Sequence, residues 1–176
     1  MLFLDLETQH LAAEVGGWCN VEALRLAVAC TYDDDAGYRD WWELQAGDLL
    51  EELSRASHIV GYGLSQFDYR VLTAYGSTRG LEAKTFDLLH EVRSQHVRSV
   101  SLNTLAVLNL GEAKVFESGV QAVKLWKVGA LEELTAYCRK DVELTRRLYE
   151  FWETQGLLWV PGGQYVVWPG QRMGSG

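Results

Sequence analysis

The chain has 176 residues, 48% of them hydrophobic, and a net charge of −8; this length and apolar content suit one compact domain and exclude a disordered chain. Three cysteines, an odd number without a C-x-x-C pair, exclude a disulfide framework and a thiolate zinc site, and fit a reducing cytoplasm. The first residues lack the pattern of a signal peptide and no run approaches about 20 apolar residues, so no membrane partner is expected. Leu2 to Leu6 reads as a short apolar strand that reaches the carboxylates Asp5 and Glu7. Leu24 to Cys30 and Tyr38 to Leu44 read as a strand pair. The segment Asp33-Asp34-Asp35-Ala36-Gly37 between them is rich in turn formers, which favours a solvated tip over a metal site. In the second of these strands Trp41 and Trp42 alternate, sending one ring to the core and the other outward or into an interface.

An amphipathic helix is expected over Gly47 to Ala56, then a buried strand near His58 to Tyr62, then a helix from Ser65 to Tyr75 ended by Gly76. Thr85 to Gln95 reads as a strand end running into a helix, and Leu102 to Leu110 as a helix stopped by Gly111. Glu112 to Val128 reads as a loop carrying Lys114, Lys124 and Lys127. The longest helix is expected from Ala130 to Thr154, and a terminal hairpin over residues 157–168. A meander followed by alternating helices and strands predicts an α/β fold, a mixed sheet with helices on its faces, in a single domain over residues 1–176.

Asp5 and Glu7 are two apart on a strand, so their side chains share a face of the sheet. Two such carboxylates repel each other unless a cation is shared between them; the alternative is an exposed edge strand where both are solvated. Tyr137 and Asp141 are four apart and share a helix face beside the apolar stripe Leu134, Cys138, Val142, Thr145 and Leu148. The acidity is uneven: residues 1–78 carry 4 basic and 13 acidic side chains, and residues 79–127 carry 7 and 5. A bound cation would supply the positive charge that phosphate recognition needs.

These residues carry a family resemblance. Phe3-Leu4-Asp5-Leu6-Glu7-Thr8 resembles the first motif of the DEDD 3'-5' exonucleases in the ribonuclease H-like (DnaQ-like) superfamily. Val60 to Asp68, ending Phe67-Asp68, resembles the second motif, and Tyr137-Cys138-Arg139-Lys140-Asp141 the third. Thr85 to His90 and Ser99 to Leu105 further resemble the YprB-like ribonuclease H-like domains, and the similarity covers about residues 2–152. Tyr137 stands where the DEDDy subtype has its tyrosine, and Ala136 where the DEDDh subtype has histidine. Gly63 replaces the usual asparagine of the second motif, and Gln9-His10 replace the usual Thr-Gly after the first.

The resemblance implies a ribonuclease H-like mixed five-stranded sheet and a two-metal hydrolase, with Asp5, Glu7, Asp68 and Asp141 as ligands of two Mg2+ or Mn2+. Asp5 would be shared, Glu7 and Asp141 would complete one shell, and Asp68 would serve the other through water. Tyr137 would orient the attacking water. The implied substrate is single-stranded DNA or RNA with a free 3' end, with Thr8, Phe67, Tyr69, Lys124, Trp126 and Lys127 as candidate contacts. The alternatives are a ribonuclease H-type endonuclease and a non-catalytic binding module that acts with a helicase or other protein.

Overall fold

The computed structural model describes residues 1–96, 98–112 and 119–169. Its main sheet contains β1 (Leu2–Thr8), β2 (Leu26–Asp33), β3 (Gly37–Trp42), β4 (Ile59–Gly61) and β5 (Thr85–Asp87) in the order β3-β2-β1-β4-β5. β1 runs antiparallel to β2 and parallel to β4, and β4 is parallel to β5, so the sheet is mixed. The helices are α1 (Ala46–Arg55), α2 (Asp68–Leu72), α3 (Leu88–Gln95), α4 (Leu102–Leu110), α5 (Gly119–Val128) and α6 (Leu131–Gln155). A separate hairpin of β6 (Leu157–Val160) and β7 (Gln164–Val167) follows.

Alternation along β1 divides the apolar residues between two cores. Leu2, Leu4 and Leu6 point to one face, packed with α1, α2 and residues 21–24. Phe3 points to the other, packed with α3, α4 and α6 and the hairpin. Each fully buried leucine or phenylalanine contributes roughly 1.5–3 kcal/mol, so the two-sided pattern fixes the register of the central strand. Trp41 and Trp42 split the same way, Trp41 into the first core and Trp42 against the second.

The terminal hairpin docks through rings and amides. Trp168 stacks on Phe86 at 5.0 Å and meets Trp152 edge-on at 5.6 Å. Gln95 both accepts from and donates to Val167 backbone, each at 2.9 Å, and Asn109 does the same for Trp159. Two side-chain amides thus stand in for the missing strand neighbours of β6 and β7.

Several expectations change. β2 runs on to Asp33, whose Oδ1 accepts the Asp35 amide at 3.0 Å, so the acidic segment is a turn braced by its first carboxylate. The helix expected from Ser65 to Tyr75 shrinks to Asp68–Leu72, because Gly63 lies at φ 83° and its carbonyl holds the Gln66 and Phe67 amides in a turn. The expected loop over 112–128 ends in α5, where buried Ala122 and Val123 face the core; its Lys114 lies outside the described residues. Short 3-10 helices at Ala12–Glu14 and Trp18–Leu24 occupy a stretch with no expected element up to Leu24, the residue expected to open the strand that instead starts at Leu26. Among the described residues, no helix is long and apolar enough to cross a membrane.

Candidate metal centre

The three parallel strands β1, β4 and β5 end on one side of the sheet, where open α/β sheets commonly place their sites. β4 pairs β1 only at Leu2 and Phe3, so β1 runs on past its neighbour through Asp5 and Glu7. The Leu6 amide, left without a β4 partner, donates to Asp68 Oδ1 at 3.1 Å. Asp68 is therefore built into the broken edge of the ladder at the start of α2. Asp5 and Glu7 share the Phe3 face of β1, toward α6, where Tyr137 and Asp141 stand one turn apart.

Asp5, Glu7 and Asp141 bring carboxylate oxygens within 4.8 Å of one another, and Glu7 and Asp141 are buried. Asp68 lies outside that close set but lines the same cavity of about 640 Å³, together with Tyr137, Thr8 and Phe67. Burial, and then the charge of Asp5, push the Asp68 carboxyl well above the usual range; the Leu6 amide works in the opposite direction. Burial, followed by Asp141, Glu7 and Asp5, raises the Tyr137 phenol as well. Tyr137 is therefore a neutral hydroxyl across the physiological range. Mutual repulsion of this kind in a buried site is relieved by a shared cation, and an oxygen-only donor set fits Mg2+ or Mn2+.

Two residues that the sequence reading left aside shape the site. Asp87 closes β5 and caps α3: its Oδ1 accepts the amides of Gly63 at 2.8 Å and Leu89 at 3.0 Å, and its Oδ2 that of Ser65 at 3.4 Å. One carboxylate thereby anchors the turn that delivers Asp68. The signal was available, since aspartate directly before a helical run is a capping pattern. Cys138, read as part of the apolar stripe, donates its thiol to the Asp5 carbonyl at 3.4 Å and to Asp5 Oδ2 at 3.6 Å. Burial and then Cys30 hold that thiol well above its ordinary pKa, so it braces Asp5 as a neutral donor.

The candidate substrate contacts divide. Thr8 lines the cavity, although its hydroxyl donates to the His10 carbonyl at 3.1 Å. Phe67 lines it too. Tyr69 does not fit that role: it is buried in the core beneath the sheet, its hydroxyl 2.6 Å from Thr85 Oγ1. Lys124, Trp126 and Lys127 sit on α5 away from the cavity lining; Trp126 packs against the core and Lys127 pairs with Glu14. His10 also lines the cavity.

A family model described as the RNase H superfamily matches residues 2–153. The chain belongs to the RNase H superfamily. The five-stranded mixed sheet with flanking helices is that superfamily's fold. Among solved structures, a family B DNA polymerase from the hyperthermophilic archaeon Pyrobaculum calidifontis is similar, with TM-score 0.61 and 16% identity over 85% of this chain. The match covers 24% of the polymerase, so this RNase H-like chain corresponds to about a quarter of that protein. No curated protein matches the chain. The acidic cluster at the strand ends is the candidate site for a divalent metal on this fold.

Proposed function

We propose that this protein is a DEDDy-type 3'-5' exonuclease that removes nucleoside monophosphates from single-stranded nucleic acid. The observation that carries the reading is the convergence of Asp5, Glu7 and Asp141 within 4.8 Å, with Tyr137 one helical turn from Asp141 in the same cavity. Asp5, Glu7 and Asp141 would hold one cation and Asp5 with Asp68 a second. When bound, such a pair lowers the pKa of a water and offsets charge on the attacking and leaving oxygens. The residues themselves supply orientation. Tyr137, kept protonated by burial and by three carboxylates, positions a water by hydrogen bonding and leaves proton abstraction to others. The Leu6 amide fixes one oxygen of Asp68, and Cys138 fixes Asp5, so both carboxylates are held before any substrate arrives.

The test is a panel of 5'-labelled single-stranded and recessed DNA and RNA, incubated with Mg2+ or Mn2+ and resolved by length. Stepwise shortening from the 3' end is expected, and its loss in Asp5→Ala and Asp141→Ala. Digestion of circular or 3'-blocked strands would turn the reading to an endonuclease. A second readout is independent of activity: Mn2+ should raise the melting temperature, as ligand binding to the folded state alone requires, and Asp141→Asn should remove the shift. Wild-type protein that digests no strand, and melts at the same temperature with and without Mn2+, would sink the proposal.

A further inference from the structure

We infer that Trp18, with Phe67 behind it, is a base-stacking platform, and that an unpaired strand passes from the carboxylates over these rings to Arg70. The inference rests on the nuclease reading above and extends it to the strand's path. Trp18 lies in the 3-10 helix after β1 and is 68% exposed, an unusual position for so large a ring. Its ring meets Phe67 edge-on, with centroids 6.2 Å apart at 64°, so its orientation is set by a neighbour while its surface stays open. Trp18 and Phe67 both line the acidic cavity, and both also line a second cleft of about 550 Å³ with Val21, Gln66 and Arg70. The ring pair is thus the shared wall between the carboxylates and that second cleft.

Arg70 is the ionic residue among the described residues that line the second cleft. Its Nη2 donates to a neutral acceptor, the Cys19 carbonyl at 3.4 Å, so this bond leaves its positive charge uncompensated. Carboxylates, aromatic faces and a guanidinium follow one another across a continuous surface. That sequence of groups matches the scissile phosphate with its cations, a base and an upstream phosphate of one flexible strand. Stacking is tolerant of base identity, because every base has a π-face, so the platform would grip without reading sequence. It also answers the charge problem: a protein of net charge −8 can hold a polyanion when rings supply part of the affinity.

The test compares wild type, Trp18→Ala, Trp18→Phe and Arg70→Ala on a single-stranded oligonucleotide and on a baseless ester, the same strand built from abasic tetrahydrofuran residues, which carry no aromatic ring. Trp18→Ala should raise KM for the oligonucleotide about 10-fold. Its kcat should stay within about twofold, as loss of uniform binding demands, Trp18→Phe should restore most of the difference, and the baseless ester should be cleaved at the wild-type rate. Arg70→Ala should flatten the dependence of log KM on log salt by about 0.7, the slope of one phosphate on a single strand. Unchanged KM in Trp18→Ala, or an equal loss on the baseless ester, would overturn the platform while leaving the exonuclease intact. If wild type hydrolyses nothing, fluorescence anisotropy with the labelled strand in Ca2+ still decides: weaker binding in both alanine variants supports the path, and equal binding refutes it.

Discussion

Gly63 stands where the resemblance expects asparagine, and its backbone explains both residues. It lies at φ 83°, a left-handed conformation that glycine adopts freely and asparagine tolerates better than other side chains. A Cβ there would meet only Leu89 Cδ2, at 3.4 Å, an ordinary contact. Asparagine at that φ carries a small backbone cost that glycine does not, and the rest of the substitution's effect falls on whatever the asparagine side chain would touch. Gly63→Asn should change stability by less than about 1 kcal/mol, whereas Gly63→Val should cost more, because a β-branched residue at positive φ is strained. Urea denaturation of the two variants checks the order; equal losses would mean that the space around Gly63, not its φ, is limiting.

Elements, in turn, are held to the site by single polar side chains. Asp87 joins the end of β5, the first turn of α3 and the Gly63–Ser65 turn through one carboxylate. Removing it loses an N-cap and leaves amides of the turn before Asp68 without their acceptor. Asp87→Ala should therefore cost about 2–4 kcal/mol in chemical denaturation. It should also lower kcat at a temperature where the variant is still folded, because Asp68 loses its anchored approach. A variant that is destabilised but fully active when folded would show that β4 and α2 place Asp68 unaided. The hairpin illustrates the same economy, since Gln95 and Asn109 reproduce strand pairing with one amide each.

At the scale of the whole molecule, Glu43 ties together segments that are far apart in the chain. Its Oε1 accepts Arg25 Nε at 2.7 Å and the Tyr75 hydroxyl at 2.7 Å, and its Oε2 accepts Gln9 Nε2 at 2.8 Å. Arg25 sits at φ 58°, ψ 144°, a costly conformation for a residue with a side chain, and this knot holds it there. Partial burial alone would raise the Glu43 pKa, but the bonds from Tyr75, Arg25 and Gln9 outweigh it and the folded value is lowered. A carboxylate with a lowered folded pKa stabilises the protein above its unfolded pKa, and that contribution is lost as pH falls through the folded value. Glu43→Gln should thus be less stable by about 1–3 kcal/mol at pH 7. The gap to wild type should close as the solution is acidified below the ordinary carboxylate range. Thermal melts of both proteins across that range test it; a pH-independent gap would assign the loss to shape and not to charge.

Much of the site was legible in one dimension because its parts obey local periodicities. Period two placed Asp5 and Glu7 on one face of β1, and a four-residue step placed Tyr137 beside Asp141 on α6. The same alternation separated Trp41 from Trp42, and apolar periodicity gave the order of most helices and strands. What only the tertiary structure decided depends on contacts between distant segments. Asp68 meets Leu6 because β4 stops short of β1, and Cys138 reaches Asp5 because α6 crosses that strand. Trp18 comes to Phe67 through a 3-10 stretch with no periodic signal, and α5 hid behind its lysines. Local chemistry set each carboxylate's face, whereas strand lengths and helix packing determined which of them share a cavity, since neither can be read from the neighbours of a residue in the chain.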